Sequence, residues 1–174
     1  MTIHSDHPFL EPEDVRRSAR RLRGRLPAPV TVWTAVHDRA RAGLTVSSLV
    51  VADGEPAQVL GLIDDESELW TALCGSRRCA LTLLAPADTA VADVMAGLAP
   101  SPGGAFRTGG WLDTDWGPVL ADRSWVGARL AGDPRTVGWS LLVALEVEQV
   151  RLLAGEDAGA LAYQRGRYLP VPSR

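Results

Sequence analysis

The sequence has no lysine and no asparagine, so all 18 of its basic side chains are arginines. The 174 residues carry a net charge of −3, which argues against a general nucleic-acid binder because such proteins are basic overall. No apolar run is long enough to span a bilayer. The start of the sequence, from Met1 to His7, lacks the basic and apolar regions of a signal peptide. We therefore expect a cytoplasmic protein that binds neither nucleic acid nor membrane.

Cysteine and histidine are also scarce. Cys74 and Cys79 fit neither a disulfide framework nor a Cys-x-x-Cys redox pair. His4 and His7 could share a face, but no further metal ligand follows nearby, and no histidine follows His37. The sequence contains no Ser/His/Asp triad, metal-ligand cluster or phosphate-binding loop. We therefore expect no metal site, leave the catalytic residues unassigned, and expect a cofactor to supply the chemistry.

The length and the 46% hydrophobic content are typical of one globular domain. Residues 1–10 lack periodicity and are predicted to be a flexible N-terminal arm, with the domain spanning residues 11–174. Helical spacing and capping residues predict helices over 11–23, 64–73 and 87–98, with Ser67 or Asp65 as the N-cap of the second. The first helix is expected to turn Val15, Ala19 and Leu22 toward a core.

The remaining pattern is typical of β-strands, so the predicted fold class is mainly β with flanking helices. The residues from Ala57 to Ile63 are nearly all apolar, which predicts a central strand buried on both faces. A hairpin turn is predicted at Ala131–Pro134 because Gly, Asp and Pro favour turns. The other predicted strands cover residues 30–35, 42–51, 79–84, 121–130 and 137–150.

The strand predicted from Ala42 to Val51 becomes polar in its middle. Thr45, Ser47 and Ser48 place hydroxyls where a core strand would carry carbon, and buried hydroxyls need partners. A phosphate with several acceptor oxygens would provide them. The alternative is a half-buried edge strand whose hydroxyls face water.

Two further segments leave alternatives open. Six arginines lie between Arg16 and Arg25, and they indicate either phosphate or nucleic-acid contact or, as we favour, a solvated basic helix face. The irregular stretch from Gly103 to Pro118 carries Phe106, Trp111 and Trp116. Such a loop could fold over a site or a partner subunit, or could simply pack locally.

Several segments, in their order along the chain, resemble the flavin reductase-like family, whose fold is an FMN-binding split β-barrel. The resemblance covers about residues 12 to 170 and rests on Gly-Leu-Thr-x-Ser-Ser at 43–48 together with weaker likenesses elsewhere. These are Arg17-Ser18-Ala19, Ala28-Pro29-Val30-Thr31-Val32-Trp33-Thr34-Ala35, Glu55-Pro56-Ala57-Gln58-Val59-Leu60, Gly117-Pro118-Val119-Leu120 and Leu161-Ala162-Tyr163-Gln164-Arg165-Gly166-Arg167-Tyr168.

The resemblance implies a set of cofactor-binding residues. Hydroxyls would grip the cofactor phosphate, and Trp33 is either core filler or a wall for a planar ring. Arg77 and Arg78 could offset the acidic residues that begin at Asp64. The full predicted set is Thr31, Trp33, Thr45, Val46, Ser47, Ser48, Ser67 and Thr82.

Three departures from the family pattern bear on activity. Leu69 replaces the second hydroxyl of the family's Ser-x-Thr, and Thr82 stands where the family favours asparagine. Gly132-Asp133-Pro134 lacks the histidine of the family's Gly-Asp-His, which family reductases often place near the flavin and nicotinamide.

The resemblance implies an NAD(P)H-dependent FMN reductase that passes reduced flavin to a monooxygenase partner. FAD is the alternative flavin, and NADH or NADPH would be the co-substrate. Family members are homodimers with the flavin usually at the subunit interface. The alternative function is a split-barrel protein that binds FMN or another planar ligand without reductase turnover.

Overall fold

The computed structural model describes the backbone of residues 13–153 and 159–172, and the side chains from Ser18 onward within that part. The arm predicted at residues 1–10 lies outside the described residues. The described elements are α1 (Glu13–Arg25), β1 (Ala28–Pro29), β2 (Thr31–His37), β3 (Ala40–Val46), β4 (Leu49–Ala52), β5 (Gln58–Ile63), α2 (Glu68–Ser76), β6 (Arg78–Leu83), α3 (Thr89–Met95), β7 (Trp111–Leu112), β8 (Val119–Leu120), β9 (Trp125–Val137), β10 (Ser140–Arg151), β11 (Ala160–Gln164) and β12 (Arg167–Val171). Short 3-10 turns lie at Pro86–Asp88 and Ala105–Arg107. The prediction of a mainly β fold with flanking helices is confirmed.

Seven of the described strands form one antiparallel sheet in the order β3-β2-β6-β9-β10-β5-β4. The two edge strands, β3 and β4, are consecutive in the chain and are separated only by Ser47 and Ser48. Because so short a link must join opposite edges, the sheet has to curl until those edges meet. The backbone N–H of Leu62 donates to the carbonyl of Ser48 at 2.9 Å where they meet. The result is the curled half-barrel of a split β-barrel.

The inner face of the curled sheet holds the main hydrophobic core. Trp33 on β2 lies at its centre and is completely buried, together with Leu130 on β9 and Leu145 on β10. Leu69 and Leu73 on α2 are also fully buried in this core, so α2 closes part of the barrel. Burial of such side chains is the dominant stabilising term, at about 1.5–3 kcal/mol for each.

The Trp33 ring fits only because β5 carries glycine at position 61. A Cβ atom built on Gly61 would overlap Cη2 of the indole. We therefore expect Gly61→Ala to lower the free energy of unfolding by about 1–3 kcal/mol, since the ring cannot move without disturbing a packed core. Urea denaturation measures the change. Gly110→Ala is the matched control because its Cβ would meet nothing within 4 Å, and equal stability of the two variants would contradict this packing.

The outer face of the sheet is covered on one side only. Over β2, β3 and β6, a second cluster contains Val32, Val91, Met95 and Leu120, contributed partly by α3 and β8. Over β4, β5 and β10, the outward side chains stay partly or largely exposed, and Val50 is 60% exposed. The registers place these outward residues side by side: Val50, Leu60, Leu62, Leu142 and Ala144. We call this set the open sheet face.

A small sheet, in the order β1-β11-β12, packs at one end of the barrel. Its tight turn is made by Arg165 and Gly166, which both have positive φ. The N–H of Arg165 donates to the carbonyl of Gly24, and the Gln164 side chain donates to the carbonyl of Arg25. These bonds attach the C-terminal end of α1 to the β11–β12 turn.

Four sequence predictions about local structure were wrong. The strand predicted from Ala42 to Val51 is two strands, because the chain passes from one sheet edge to the other at Ser47–Ser48. The strand predicted as central, β5, lies next to edge strand β4 and is buried on alternate residues only. Ala19 and Leu22 of α1 are exposed rather than core-facing, and the side chain of Val15 lies outside the described part.

The fourth wrong prediction is the hairpin at Ala131–Pro134. This segment lies inside β9, and the turn that joins β9 to β10 is at Gly138–Trp139. Ala131 pairs with Ala144 and Arg135 with Leu142, so the residues between form a bulge on β9. Gly132 adopts a φ of +64° there. Glycine with a positive φ occurs in some bulges as it does in turns, which explains the error.

Candidate functional site

The Ser47–Ser48 link lies at the end of the barrel where β2 begins and β3 ends. The Ser47 side chain is half-buried, and its hydroxyl makes no hydrogen bond to any described residue. The exposed Ser48 hydroxyl donates to the carbonyl of Leu62 at 2.9 Å and keeps lone pairs free. Both hydroxyls are therefore placed where the barrel closes, and that of Ser47 is available to an incoming acceptor.

Helix α2 begins close to this link, because β5 ends at Ile63 and Ser67 caps the helix. The Ser67 hydroxyl accepts from the N–H of Trp70 at 3.1 Å and donates to the carbonyl of Asp64 at 2.6 Å. The prediction of Ser67 as an N-cap is thus confirmed. The only proton of the Ser67 hydroxyl is already donated to Asp64, so a role for Ser67 in cofactor binding stays a prediction.

Three residues of the predicted set form a hydrogen-bonded chain on the inner face. The indole Nε1–H of Trp33 donates to Thr31 Oγ1 at 3.0 Å, and the Thr31 hydroxyl donates to the carbonyl of Val46 at 2.7 Å. All three residues are buried. Of the two interpretations of Trp33, these contacts favour that of a core side chain. The two hydrogen bonds also fix the end of β3 against the start of β2.

Thr45 and Thr82 lie on the opposite, outer face of the sheet. The Thr45 hydroxyl donates to the carbonyl of Ala92 in α3 at 2.7 Å. Thr82 pairs with Val32 on one side and Trp125 on the other, and is completely buried. The structure therefore separates these two threonines from Ser47 and Ser48, and their predicted cofactor contacts remain untested.

Thr82 carries a hydroxyl with no hydrogen-bond partner among the described atoms. An unsatisfied buried hydroxyl costs about 1–3 kcal/mol, and Thr82→Val removes it with little change of shape. We expect this variant to raise the free energy of unfolding by about 1 kcal/mol and to leave flavin affinity unchanged. Thermal unfolding and a flavin titration measure the two effects. A loss of flavin affinity would instead assign Thr82 to the cofactor, and Thr71→Val on the exposed side of α2 is the control.

An apolar cleft of about 240 Å³ opens at the same end of the barrel. Thr31 pairs with Val46 on one side and Leu83 on the other, so Val46, which precedes the Ser47–Ser48 link, and Leu83, which lines the cleft, are two strand spacings apart, or about 10 Å. Sequence reasoning missed the cleft because its walls come from segments far apart in the chain. Its lining residues are Leu83, Leu84, Ala85, Gly159, Ala160, Val171 and Pro172.

The charge around the start of α2 is negative. Asp65 and Glu68 are exposed and make no ion pair with a described residue. Arg77 and Arg78 follow the far end of α2, and the Arg77 guanidinium donates to the carbonyls of Leu130 and Gly132. Arg77 is therefore bonded elsewhere rather than paired with the acidic residues, and an offset by Arg78 stays a prediction. An anion bound here needs a cation from another source.

Neither His37 nor Cys79 provides a reactive group near the Ser47–Ser48 link, and His4 and His7 lie outside the described residues. His37 lies at the opposite end of β2 from Thr31 and packs against Gly75. Burial raises the pKa of Cys79 to about 12, so this thiol stays protonated at neutral pH. No group of three or more potential metal ligands occurs among residues 13–153 and 159–172. Across the same ranges, no helix has the length and apolar character needed to cross a bilayer.

The aromatic loop between Gly103 and Pro118 packs on its own chain. Phe106 contacts the ring of Trp111 edge-on, and the Arg41 guanidinium lies 5.9 Å from the Phe106 centroid. Nη2 of Arg41 also donates to both carboxylate oxygens of Asp113, at 2.7 and 2.6 Å. Of the alternatives that the sequence left open, local packing is the one that these contacts support.

The sequence profile described as "Flavin reductase like domain" matches residues 23–172. The chain belongs to this family. A search of the curated proteins finds no match.

Solved structures with the same fold are similar over nearly the whole chain. Nitrilotriacetate monooxygenase component B from Mycobacterium thermoresistibile has a TM-score of 0.82 at 22% identity, covering 94% of each chain. The Streptomyces globisporus NADH:FAD oxidoreductase SgcE6 has a TM-score of 0.79 at 19% identity, covering 97% of this chain and 99% of that one. BorF, the flavin reductase component of a bacterial two-component tryptophan halogenase, has a TM-score of 0.78 at 21% identity, covering 91% and 99%. These likenesses show the fold.

The barrel end fits a flavin nucleotide in part. Ser47 and Ser48 offer hydroxyls to a phosphate, and the cleft beside Leu83 offers an apolar surface to a ring. The carboxylates of Asp65 and Glu68 oppose the phosphate charge. The site as built from one chain therefore offers hydroxyls and an apolar wall. The Arg123 guanidinium next to the cleft wall at Ala85 is already bonded to Asp88.

Proposed function

We propose that this protein is an NAD(P)H-dependent FMN reductase that supplies reduced flavin to a monooxygenase partner. The observation that carries the proposal is the placement of an available serine hydroxyl next to Val46 and of an apolar cleft at Leu83, because these two residues flank Thr31 at one end of the barrel. Family membership supports the same assignment.

The chain's residues act by binding and orientation. Ser47 and Ser48 hold the phosphate, the cleft walls exclude water from one side of the ring, and the Trp33–Thr31–Val46 chain keeps the link rigid. The bound flavin would accept hydride from the nicotinamide and carry the electrons onward. Orientation of two reactants supplies much of such a rate enhancement, which suits a site without an acid–base side chain.

FMN is the proposed flavin, and FAD is the alternative. A similar structure is described as an NADH:FAD oxidoreductase, which motivates FAD as the alternative, and another as the flavin reductase component of a two-component tryptophan halogenase, which motivates the partner. The reduced nicotinamide pool lies in the cytoplasm, so we propose that location.

We also propose that the protein is a homodimer. The open sheet face supports this, since Val50 is 60% exposed and four further apolar side chains stand beside it. Exposed apolar patches of this kind usually mark interaction sites. The mass in solution, measured by light scattering, tests the proposal, and a monomer at all concentrations would contradict it.

The reductase assignment is tested by following NADH or NADPH oxidation by the purified protein with added FMN or FAD. We expect steady turnover with at least one pair of substrates. Flavin binding without oxidation would support the second candidate, a flavin-binding split-barrel protein without turnover. The observation that favours this candidate is Pro134, which stands in the β9 bulge where the family pattern has histidine.

A further inference from the structure

Arg135 lies in the same cross-strand row as Ser48, although the two residues are far apart in the sequence. The carbonyl of Ser48 accepts from the N–H of Leu62 on β5 at 2.9 Å. Leu62 pairs with Leu142 on β10, which pairs in turn with Arg135 on β9. Since neighbouring strands are about 4.8 Å apart, three spacings place the backbones of Ser48 and Arg135 about 14 Å apart. We call Ser48, Leu62, Leu142 and Arg135 the serine–arginine row.

The row faces outward from the barrel. Val143 is completely buried in the inner core, so the neighbouring Leu142 points to the outer face. Residues directly opposite each other on antiparallel strands share a face, so Leu62 and Arg135 point outward with Leu142. The row therefore forms the end of the open sheet face that borders the Ser47–Ser48 link. Val50, Leu60 and Ala144 of that face lie outside the row and stay available to a second copy.

The middle of the row is an apolar shelf, and its far end is a cation. Leu62 and Leu142 are half-buried, and Arg135 is exposed. The Arg135 guanidinium makes no hydrogen bond or ion pair with any described residue. Several other arginines also lack a described carboxylate partner, so its position in the row is what distinguishes Arg135.

Arg135 supplies the positive charge that an anion at this end of the barrel needs. Asp65 is exposed one turn beyond the end of β5, and Asp133 is exposed in the β9 bulge two residues before Arg135. These carboxylates repel a phosphate, and the Ser48 hydroxyl carries no charge to offset them. An anionic ligand that starts at Ser48 and follows the shelf meets a guanidinium at the other end.

The order of groups along the row matches adenosine diphosphate. Its pyrophosphate needs hydroxyl donors and a cation, and its purine has an apolar face that fits the shelf of Leu62 and Leu142. A guanidinium suits both parts of that ligand, because its N–H groups donate to phosphate oxygens and its plane stacks on an aromatic ring. FMN ends at its phosphate and leaves the shelf uncovered, whereas FAD and NAD(P)H both carry the adenosine diphosphate group.

We propose that the serine–arginine row binds the adenosine diphosphate half of a dinucleotide, with Arg135 as the residue that distinguishes dinucleotides from FMN. This inference rests on the proposed flavin site at the Ser47–Ser48 link. In that site the flavin ring lies on the Leu83 side of the link, and the row extends from the other side. The same row serves FAD as the flavin or NAD(P)H as the co-substrate.

Arg135→Gln and Leu142→Ala test the inference, with Arg151→Gln and Val150→Ala as matched controls. Both control residues are exposed and lie at the other end of β10. Isothermal titration calorimetry measures the affinity of the flavin-free protein for FAD and FMN, and of the FMN-loaded protein for NAD⁺ and NADP⁺. The oxidised nucleotides are used because they bind without reducing the flavin. Circular dichroism checks that each variant is folded.

We expect Arg135→Gln to weaken the binding of at least one dinucleotide about tenfold and to leave FMN affinity unchanged. Arg135→Lys should retain part of that affinity, since it keeps the charge but loses the planar group. Leu142→Ala should weaken the same ligand about threefold. A loss confined to FAD assigns the row to the flavin, and a loss confined to NAD⁺ and NADP⁺ assigns it to the co-substrate. Both controls should match the wild type.

Three results would overturn the inference: dinucleotide affinities that do not change in Arg135→Gln, an equal loss of FMN and FAD affinity, and a wild-type protein that binds no dinucleotide. A Leu142→Ala variant that loses self-association but keeps every ligand affinity would assign the row to a protein contact and contradict the inference equally. All of these measurements are of binding at equilibrium. Failure of the wild type to oxidise NADH or NADPH while the Arg135 pattern holds would therefore reject the reductase assignment alone.

Discussion

Replacing Ser47 and Ser48 together by alanine is expected to weaken FMN binding about 100-fold and to leave riboflavin binding near the wild-type value. Riboflavin has the same ring but no phosphate. A hydrogen bond to a charged group contributes about 1.5–3 kcal/mol, and two such bonds at the lower figure account for the loss. Quenching of flavin fluorescence on titration with protein measures both affinities.

The ratio of the FMN affinity to the riboflavin affinity separates loss of the phosphate contacts from a general destabilisation of the protein. Loss of the Ser48–Leu62 hydrogen bond costs about 1 kcal/mol of stability, which would affect both ligands alike. Ser140→Ala, at the start of β10, is the matched control because its side chain is half-buried and outside the candidate site. An unchanged preference for FMN in the double variant would remove these serines from the phosphate site.

Replacing Asp88 by alanine is expected to lower the free energy of unfolding by about 3 kcal/mol, because a largely buried ion pair loses one partner. The Asp88 carboxylate accepts from Nε and Nη2 of Arg123 at 2.6 and 2.9 Å. It also accepts from the N–H of Ala85 at 2.8 Å. The side chains of Asp88 and Arg123 are only 11% and 18% exposed, so water can replace little of what is lost.

Thermal unfolding followed by circular dichroism measures this effect. Asp122→Ala is the matched control, since Asp122 is exposed and adjacent to Arg123 but contacts it only through its backbone carbonyl. Because Ala85 lines the cleft, the Asp88 variant should also weaken flavin binding when measured well below its melting temperature. Equal melting temperatures for the two variants would show that the ion pair does not hold this end of β6.

Local sequence signals predicted the fold where neighbouring residues determine the structure. The alternation in β2 is an example: Thr31 and Trp33 face the inner core while Val32 faces the outer cluster, and the same strand was predicted from period two. Ser67 capping α2 is another, because an N-cap depends on the residues that follow it directly.

The errors arose where distant segments determine the structure. The residue types at Gly132–Pro134 are typical of a turn. The strand β9 nevertheless continues past this segment, because residues on both sides of it pair with β10, and the segment forms a bulge. Thr45 was grouped with Ser47 and Ser48 by sequence, but β3 ends at Val46, and the Thr45 hydroxyl is bonded to α3. The cleft beside Leu83 could not be predicted, since its walls meet only after the barrel and the small sheet are in place.

The central claim is that this barrel end holds a flavin and brings a reduced nicotinamide to it. The most direct measurement is the visible absorption spectrum of the FMN-loaded protein under anaerobic conditions, before and after addition of NADH or NADPH. We expect the protein to bind FMN and the oxidised-flavin band to bleach with at least one of the two nucleotides. A bound flavin whose spectrum stays unchanged with both nucleotides, or a protein that binds no flavin, would contradict the account.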